Sequence, residues 1–186
     1  LRATALDGGG AYGEVALQIQ ETAPDDAVPI DVATFPDAAF RKYVCETIAG
    51  NRTYLTSNAI ANVTEIDCSA MDIASFQGIE IFSELTRLIC RDNKLTNLDV
   101  SGNSKLVTLY CSKNKISRID LKSNTELKYV DLSSNLLDSL DVSGNSKLIE
   151  LSCAGNNLDV LDISGNPELV SLNCNNNHIK VLDLHA

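Results

Sequence analysis

At 186 residues, 44% hydrophobic but only 5% aromatic and with no Trp, the chain has the material for one ordinary or elongated domain around an aliphatic core. Its formal charge of -10 is acidic in both parts, with 4 basic and 8 acidic residues through Asn62 and 11 and 17 beyond it. That charge excludes nonspecific attraction to nucleic-acid phosphates or anionic lipid, and no apolar run approaches the roughly 20 residues that cross a bilayer. No nucleic-acid partner and no membrane insertion are expected. A first residue of Leu1 rather than Met reads as a trimmed or mature fragment, so the lack of a leader says little about location.

Residues 1–30 are acidic and punctuated by glycine and proline, which reads as a linker, with Val15, Leu17 and Ile19 alternating as a short strand would. Residues 31–62 read as a helical cap. Phe40, Tyr43, Val44 and Ile48 recur at helical spacing, Pro36 is placed in the first turn and Gly50 at the stop. A second short helix is expected near Ser57 to Ala61. Together they can cover the open end of whatever core follows.

From Val63 to Ala186 the chain repeats itself. Five lines start at Leu85, Leu106, Leu127, Leu148 and Leu169 with a period of 21 residues, after an irregular 22-residue turn from Val63 to Glu84. In each line apolar and polar residues alternate around a pair such as Leu88 and Cys90, which is strand spacing. Stacking the lines in register makes a parallel sheet with one continuous interior, and about six turns span roughly 25 to 30 Å. Each line also repeats within itself, LxxLxC then LxxLDV, so extended segments are expected on both sides of a slim right-handed coil, without room for a full helix.

The pattern LxxLxCxxNxLxxLDVSxN resembles the bacterial 21-residue class of leucine-rich repeats over about Val63 to Ala186. The resemblance implies a leucine-rich-repeat solenoid, mostly strand and loop with a small helical N-terminal cap, from a secreted or cell-surface bacterial protein that acts in recognition. Related caps often carry an acidic, EF-hand-like loop. Aligned on Leu55, this chain has Ile48, Gly50, Arg52 and Ala59 at the ligand positions, so no calcium is expected there.

Three ladders look chemical and read as structural. Asn93, Asn114, Asn135, Asn156 and Asn177 recur where the first strand ends, and Asn103, Asn124, Asn145 and Asn166 in the other corner; a buried amide can serve the backbones of neighbouring turns. Cys68, Cys90, Cys111, Cys153 and Cys174 point inward, with Leu132 taking that place in one line, which marks the column as core. Parallel thiols leaving their strands in one direction are poorly placed for disulfides, and no zinc spacing is present. Asp99, Asp120, Asp141, Asp162 and Asp183 are expected to bond their own corners rather than a metal. Lys105, Glu126, Lys147 and Glu168 alternate in sign on consecutive coils, which favours the same stack.

Inward positions being committed to the core, binding falls to outward positions of the strands. Arg87, Ile89, Arg91, Tyr110, Tyr129, Asp131 and Glu150 are the candidate contacts, because aromatic and Arg side chains are favoured interface anchors. The only histidines are His178 and His185, and no nucleophile-base arrangement or phosphate loop is present, so neither catalytic residues nor a cofactor are expected. The expected function is non-catalytic recognition of a protein or host-surface ligand. The alternatives are a passive spacer or stalk and a carbohydrate-binding adhesin with a glycan partner. The last line stops before its Ser-x-Asn corner and has no capping helix, so either the native protein continues or the uncapped coil forms an end-to-end homodimer.

Overall fold

The computed structural model describes residues 22–183, without the side chains of Val181 and Asp183. The strand expected around Val15 to Ile19 lies outside the described residues.

The chain enters through β1 (Val28–Pro29), which pairs antiparallel with β2 (Tyr54–Leu55). Between them run helix α1 (Ala38–Tyr43) and a wider π-helical turn, Val44–Ile48. Gly50 and Asn51, at φ 61° and 65°, then reverse the chain. The helix α2 (Ser57–Ala61) follows, capped by the Thr56 hydroxyl accepting from the Ala59 N–H. Pro36 is not in the first turn of α1 as expected. Asp37 caps it instead, its Oδ1 accepting the Ala39 and Phe40 N–H groups at 2.9 Å, so the helix starts one position after the cap.

The other oxygen of Asp37 joins cap to coil. Oδ2 accepts from the Ala74 N–H at 2.8 Å and the Ser75 N–H at 3.3 Å, in the first turn of the solenoid. Around this joint Phe40 packs edge-on to Phe35 with ring centroids 5.7 Å apart and against Phe76 at 4.7 Å, all three rings buried. Gly78 passes so close that a Cβ would lie 2.5 Å from the Phe35 ring, and its φ of 99° excludes other side chains.

The solenoid contributes one short strand per turn to a six-stranded parallel sheet. In order these are β3 (Glu65–Asp67), β4 (Arg87–Ile89), β5 (Thr108–Tyr110), β6 (Tyr129–Asp131), β7 (Glu150–Ser152) and, after β8 (Val160–Asp162), β9 (Ser171–Asn173). The register aligns Ile66, Leu88, Leu109, Val130, Leu151 and Leu172 in one row. On the second side of the coil, where extended segments were expected, the described residues form a strand pair only at β8 and β10 (Val181–Asp183). Equivalent positions are buried in successive turns: Leu85, Leu88, Cys90, Leu95, Leu98 and Val100 in one, Leu127, Val130, Leu132, Leu137, Leu140 and Val142 two turns later, with Ile119 in the turn between only partly covered. In the last turn Leu169, Leu172, Cys174 and Ile179 are only partly covered.

Leaving the sheet, each turn bends through a residue with positive φ: Ala70 (56°), Asp92 (54°), Lys113 (56°), Ser134 (55°), Gly155 (66°) and Asn176 (54°). Only one of the six is glycine. The bend lets the backbone keep pairing, since the Lys113 N–H donates to the Ser133 carbonyl at 2.9 Å and the Asp92 N–H to that of Ser112 at 3.0 Å. In all but the first of these turns asparagine comes next. Asn135 Nδ2 donates to the carbonyls of Cys111 (3.1 Å) in the preceding turn and Leu132 (3.0 Å) in its own, while Oδ1 accepts the Ile116 N–H at 3.0 Å. Asn93, Asn114, Asn156 and Asn177 repeat this three-way tie.

The second asparagine ladder works as a double donor. Asn124 Nδ2 reaches the carbonyls of Val100 (2.9 Å) and Asn103 (3.0 Å), and Asn145 and Asn166 repeat the pattern. The buried Oδ1 atoms of Asn103, Asn124 and Asn166 accept no hydrogen bond among the described residues. The charge ladder pairs within steps: Lys105 meets Glu84, and Lys147 meets Glu126, each at 2.6 Å. These pairs are half-exposed and contribute tenths of a kcal/mol each, enough to favour register but not to hold the fold.

All six cysteines are free thiols; Cys68, Cys90, Cys111 and Cys153 are buried, Cys45 and Cys174 partly exposed. Burial pushes the Cys153 thiol up to about 12 and raises Cys68 further, while a hydrogen bond with Cys111, and then burial, raise Cys90. Folded thiols therefore stay protonated where unfolded ones ionise, near 9. Their contribution to stability is present below that pH and is lost above it, as the unfolded chain sheds protons that the fold retains.

Three outcomes follow. Asn135→Ala leaves the buried Ile116 N–H without a partner and takes one of two amide donors from each of the Cys111 and Leu132 carbonyls, which Asn114 and Asn156 still serve, and lowers urea stability by about 2 kcal/mol. Lys113→Gly relieves the positive φ and raises stability by about 1 kcal/mol, whereas Lys115→Gly, two residues on, gives no gain. A thiol reagent at neutral pH labels Cys45 and Cys174 in the folded protein and the other four only on unfolding, and the melting temperature falls as pH rises past 9; rapid labelling of all six would contradict the buried ladder.

Candidate functional site

The outward positions of β4 to β7 form one surface because register places them side by side. Arg87 aligns with Thr108, Tyr129 and Glu150, and Ile89 aligns with Tyr110, Asp131 and Ser152. The seven candidate residues thus share one face, with Arg91 just beyond the end of β4.

Their side chains are organised around Tyr110. The Arg91 guanidinium lies 4.4 Å from the centre of its ring and pairs with Asp131 at 3.3 Å. The Arg87 guanidinium lies 5.7 Å from the same ring, and its Nε donates to Glu65 Oε1 at 2.8 Å. Asp131 is held from below as well, its Oδ1 accepting from the Ser133 N–H at 3.1 Å and hydroxyl at 2.5 Å. Stacking and ion pairing tie these guanidinium and carboxylate groups to one another around the Tyr110 ring.

Two candidates differ from the rest. Ile89, flanked in register by Asp67 and Tyr110, is 8% exposed and offers almost no surface, so its place is in the floor rather than among contacts. Glu150 is exposed and takes no ion pair or hydrogen bond through its side chain among the described residues. Glu65, the partner of Arg87, was not among the candidates; the irregular spacing of the first turn hid its register with Arg87. Beside the cluster a shallow depression of about 250 Å³ is lined by Arg91, Tyr110, Asp131, Glu150, Ser171 and Asn173.

The second side of the coil carries larger, open troughs of about 440 and 590 Å³ along Asn97, Arg118 and Ser139 and the Asp column. The column serves its own corners. Asp99, Asp120, Asp141 and Asp162 each accept, at 2.9 to 3.0 Å, the N–H two residues on. Hydrogen bonds from the Ser101 and Ser143 side chains hold Asp99 and Asp141 below the usual carboxylate range. Among the described residues no group of three or more His, Cys, Asp or Glu side chains is placed to hold a metal ion, and no helix is long and apolar enough to cross a membrane.

No known family profile matches the chain. It is 38% identical over 81 residues to internalin J of Listeria monocytogenes, a match covering 44% of this chain and 8% of that protein. Among solved structures, the functional domain of InlJ from Listeria monocytogenes, described as including a cysteine ladder, superposes with a TM-score of 0.79 at 35% identity, over 85% of this chain and 35% of that one. The internalin InlF of the same species gives 0.76 at 27% identity, over 83% and 47%. The chain thus spans less than half the length of the relatives it matches. With the same coil seen in the structure and in these relatives, the chain is a bacterial leucine-rich-repeat protein of the 21-residue class, with a helical N-terminal cap.

Proposed function

We propose that this chain is a non-catalytic protein-recognition module of a secreted or cell-surface bacterial protein, in which residues 63–186 bind through the outward face of β4 to β7 and residues 31–62 cap them. The observation that carries this reading is the cluster of Arg87, Tyr110, Arg91 and Asp131. Two guanidinium groups converge on one aromatic ring, each already paired with a carboxylate. A free surface gains little stability from so many exposed charges, whereas an interface gains from anchors whose side-chain entropy is lost before binding. The similarity to internalins favours the same class of role.

Contacts to a partner are assigned to Arg87, Arg91, Tyr110, Tyr129, Asp131 and Glu150. Beads coated with the chain are expected to attach to cultured epithelial cells and to lose attachment when the cells are treated with trypsin. Tyr110→Ala with Tyr129→Ala lowers attachment about tenfold or more while the thermal melt is unchanged. Attachment indifferent to both tyrosines would favour a passive spacer, and loss after periodate but not trypsin would favour a glycan ligand.

A further inference from the structure

Resting on the reading of this face as a recognition surface, we propose that the depression beside Tyr110 receives a basic side chain, Lys or Arg, from the protein partner, with Glu150 as its counter-charge.

The charges lining the depression select the sign. Arg91 is the single cation lining the depression and Asp131 and Glu150 are its two anions, so the lining carries net charge 1 - 2 = -1. Arg91 and Asp131 neutralise each other at 3.3 Å, and Arg91 is also committed to the Tyr110 ring. Glu150 is left as the uncompensated charge. Lys128, one residue before its register neighbour Tyr129, forms no ion pair with it. An anionic group from a partner would have to break the Arg91 pair and stack to find a cation here, and would approach against the overall charge of -10. A cation meets a free carboxylate.

The remaining lining suits a guanidinium or ammonium donor. Ser152, Ser171 and Asn173 bring two hydroxyls and an amide to the same rim, and all are acceptors as well as donors. Tyr110 also lines the depression, and its ring adds apolar surface against which a long aliphatic stem can lie. A depression of about 250 Å³ holds one side chain, not a folded element. The strongly paired half of the face around Arg87 then sets shape, and the Glu150 half sets charge preference.

The test is an NMR titration of the 15N-labelled chain with Nα-acetyl-arginine methylamide, beside its uncharged norleucine and anionic glutamate counterparts. The arginine probe is expected to shift the amides of Glu150, Ser152, Ser171 and Asn173 with millimolar affinity. Glu150→Gln weakens that binding about tenfold, and the norleucine and glutamate probes leave those amides in place. Silence at these amides, equal response to the glutamate probe, or full binding by Glu150→Gln would each overturn the proposal. If the arginine probe fails while Tyr110→Ala with Tyr129→Ala still abolishes attachment to cells, the basic anchor falls and the recognition surface stands. If attachment ignores both tyrosines, the surface reading falls on its own evidence.

Discussion

Each coil of this solenoid has buried carbonyl and amide groups at its corners that side chains must satisfy, the N–H from the next coil and the carbonyl from its own coil and the next. An asparagine one residue past the bend does so for two turns at once: Asn114 takes the carbonyls of Cys90 and Cys111 and gives its oxygen to the Leu95 N–H. The alternative, an unpaired polar backbone in an aliphatic interior, costs on the order of 1 to 3 kcal/mol per group. Side-chain amides are therefore as much a part of the ladder as the strands, and the interior they close off is aliphatic.

That closure sets the other tolerances of the fold. The bend ahead of each asparagine requires a positive φ, and four of these five bends accept it without glycine, so the neighbouring hydrogen bonds outweigh a conformational cost of roughly 1 to 2 kcal/mol. One cysteine per turn fits the inward position because a thiol is small and, when buried, remains neutral. Where Leu132 replaces it, the row continues without interruption. At the N-terminal end, the stack is closed by a different device, in which Asp37 caps its own helix and grips the backbone of the first turn while phenylalanine rings fill the space beneath.

Outward strand positions escape these constraints, and there the chain places a compact set of paired charges around one tyrosine. Its two arginines are not free cations. They are bound to Glu65 and Asp131, which makes them shape-giving elements and leaves Glu150 to express the charge of the surface. The larger troughs on the other side differ in kind, because their carboxylates complete the corner turns.

Period, strand row, both asparagine ladders and the thiol column were legible from the sequence, because a period of 21 forces equivalent residues into equivalent surroundings and one coil's logic is repeated five times. The short helices were legible from their own apolar spacing, but single-copy contacts between side chains were not. Asp37 as the joint, the Phe35–Phe40–Phe76 cluster, the pairing of Glu65 with Arg87 and the covering of Ile89 each occur once, so no repetition announces them. Outward positions could be assigned to a face by alternation alone. Which of their charges are neutralised, and which remains available, depends on distances between side chains of adjacent turns, and only the stacked tertiary structure determines those.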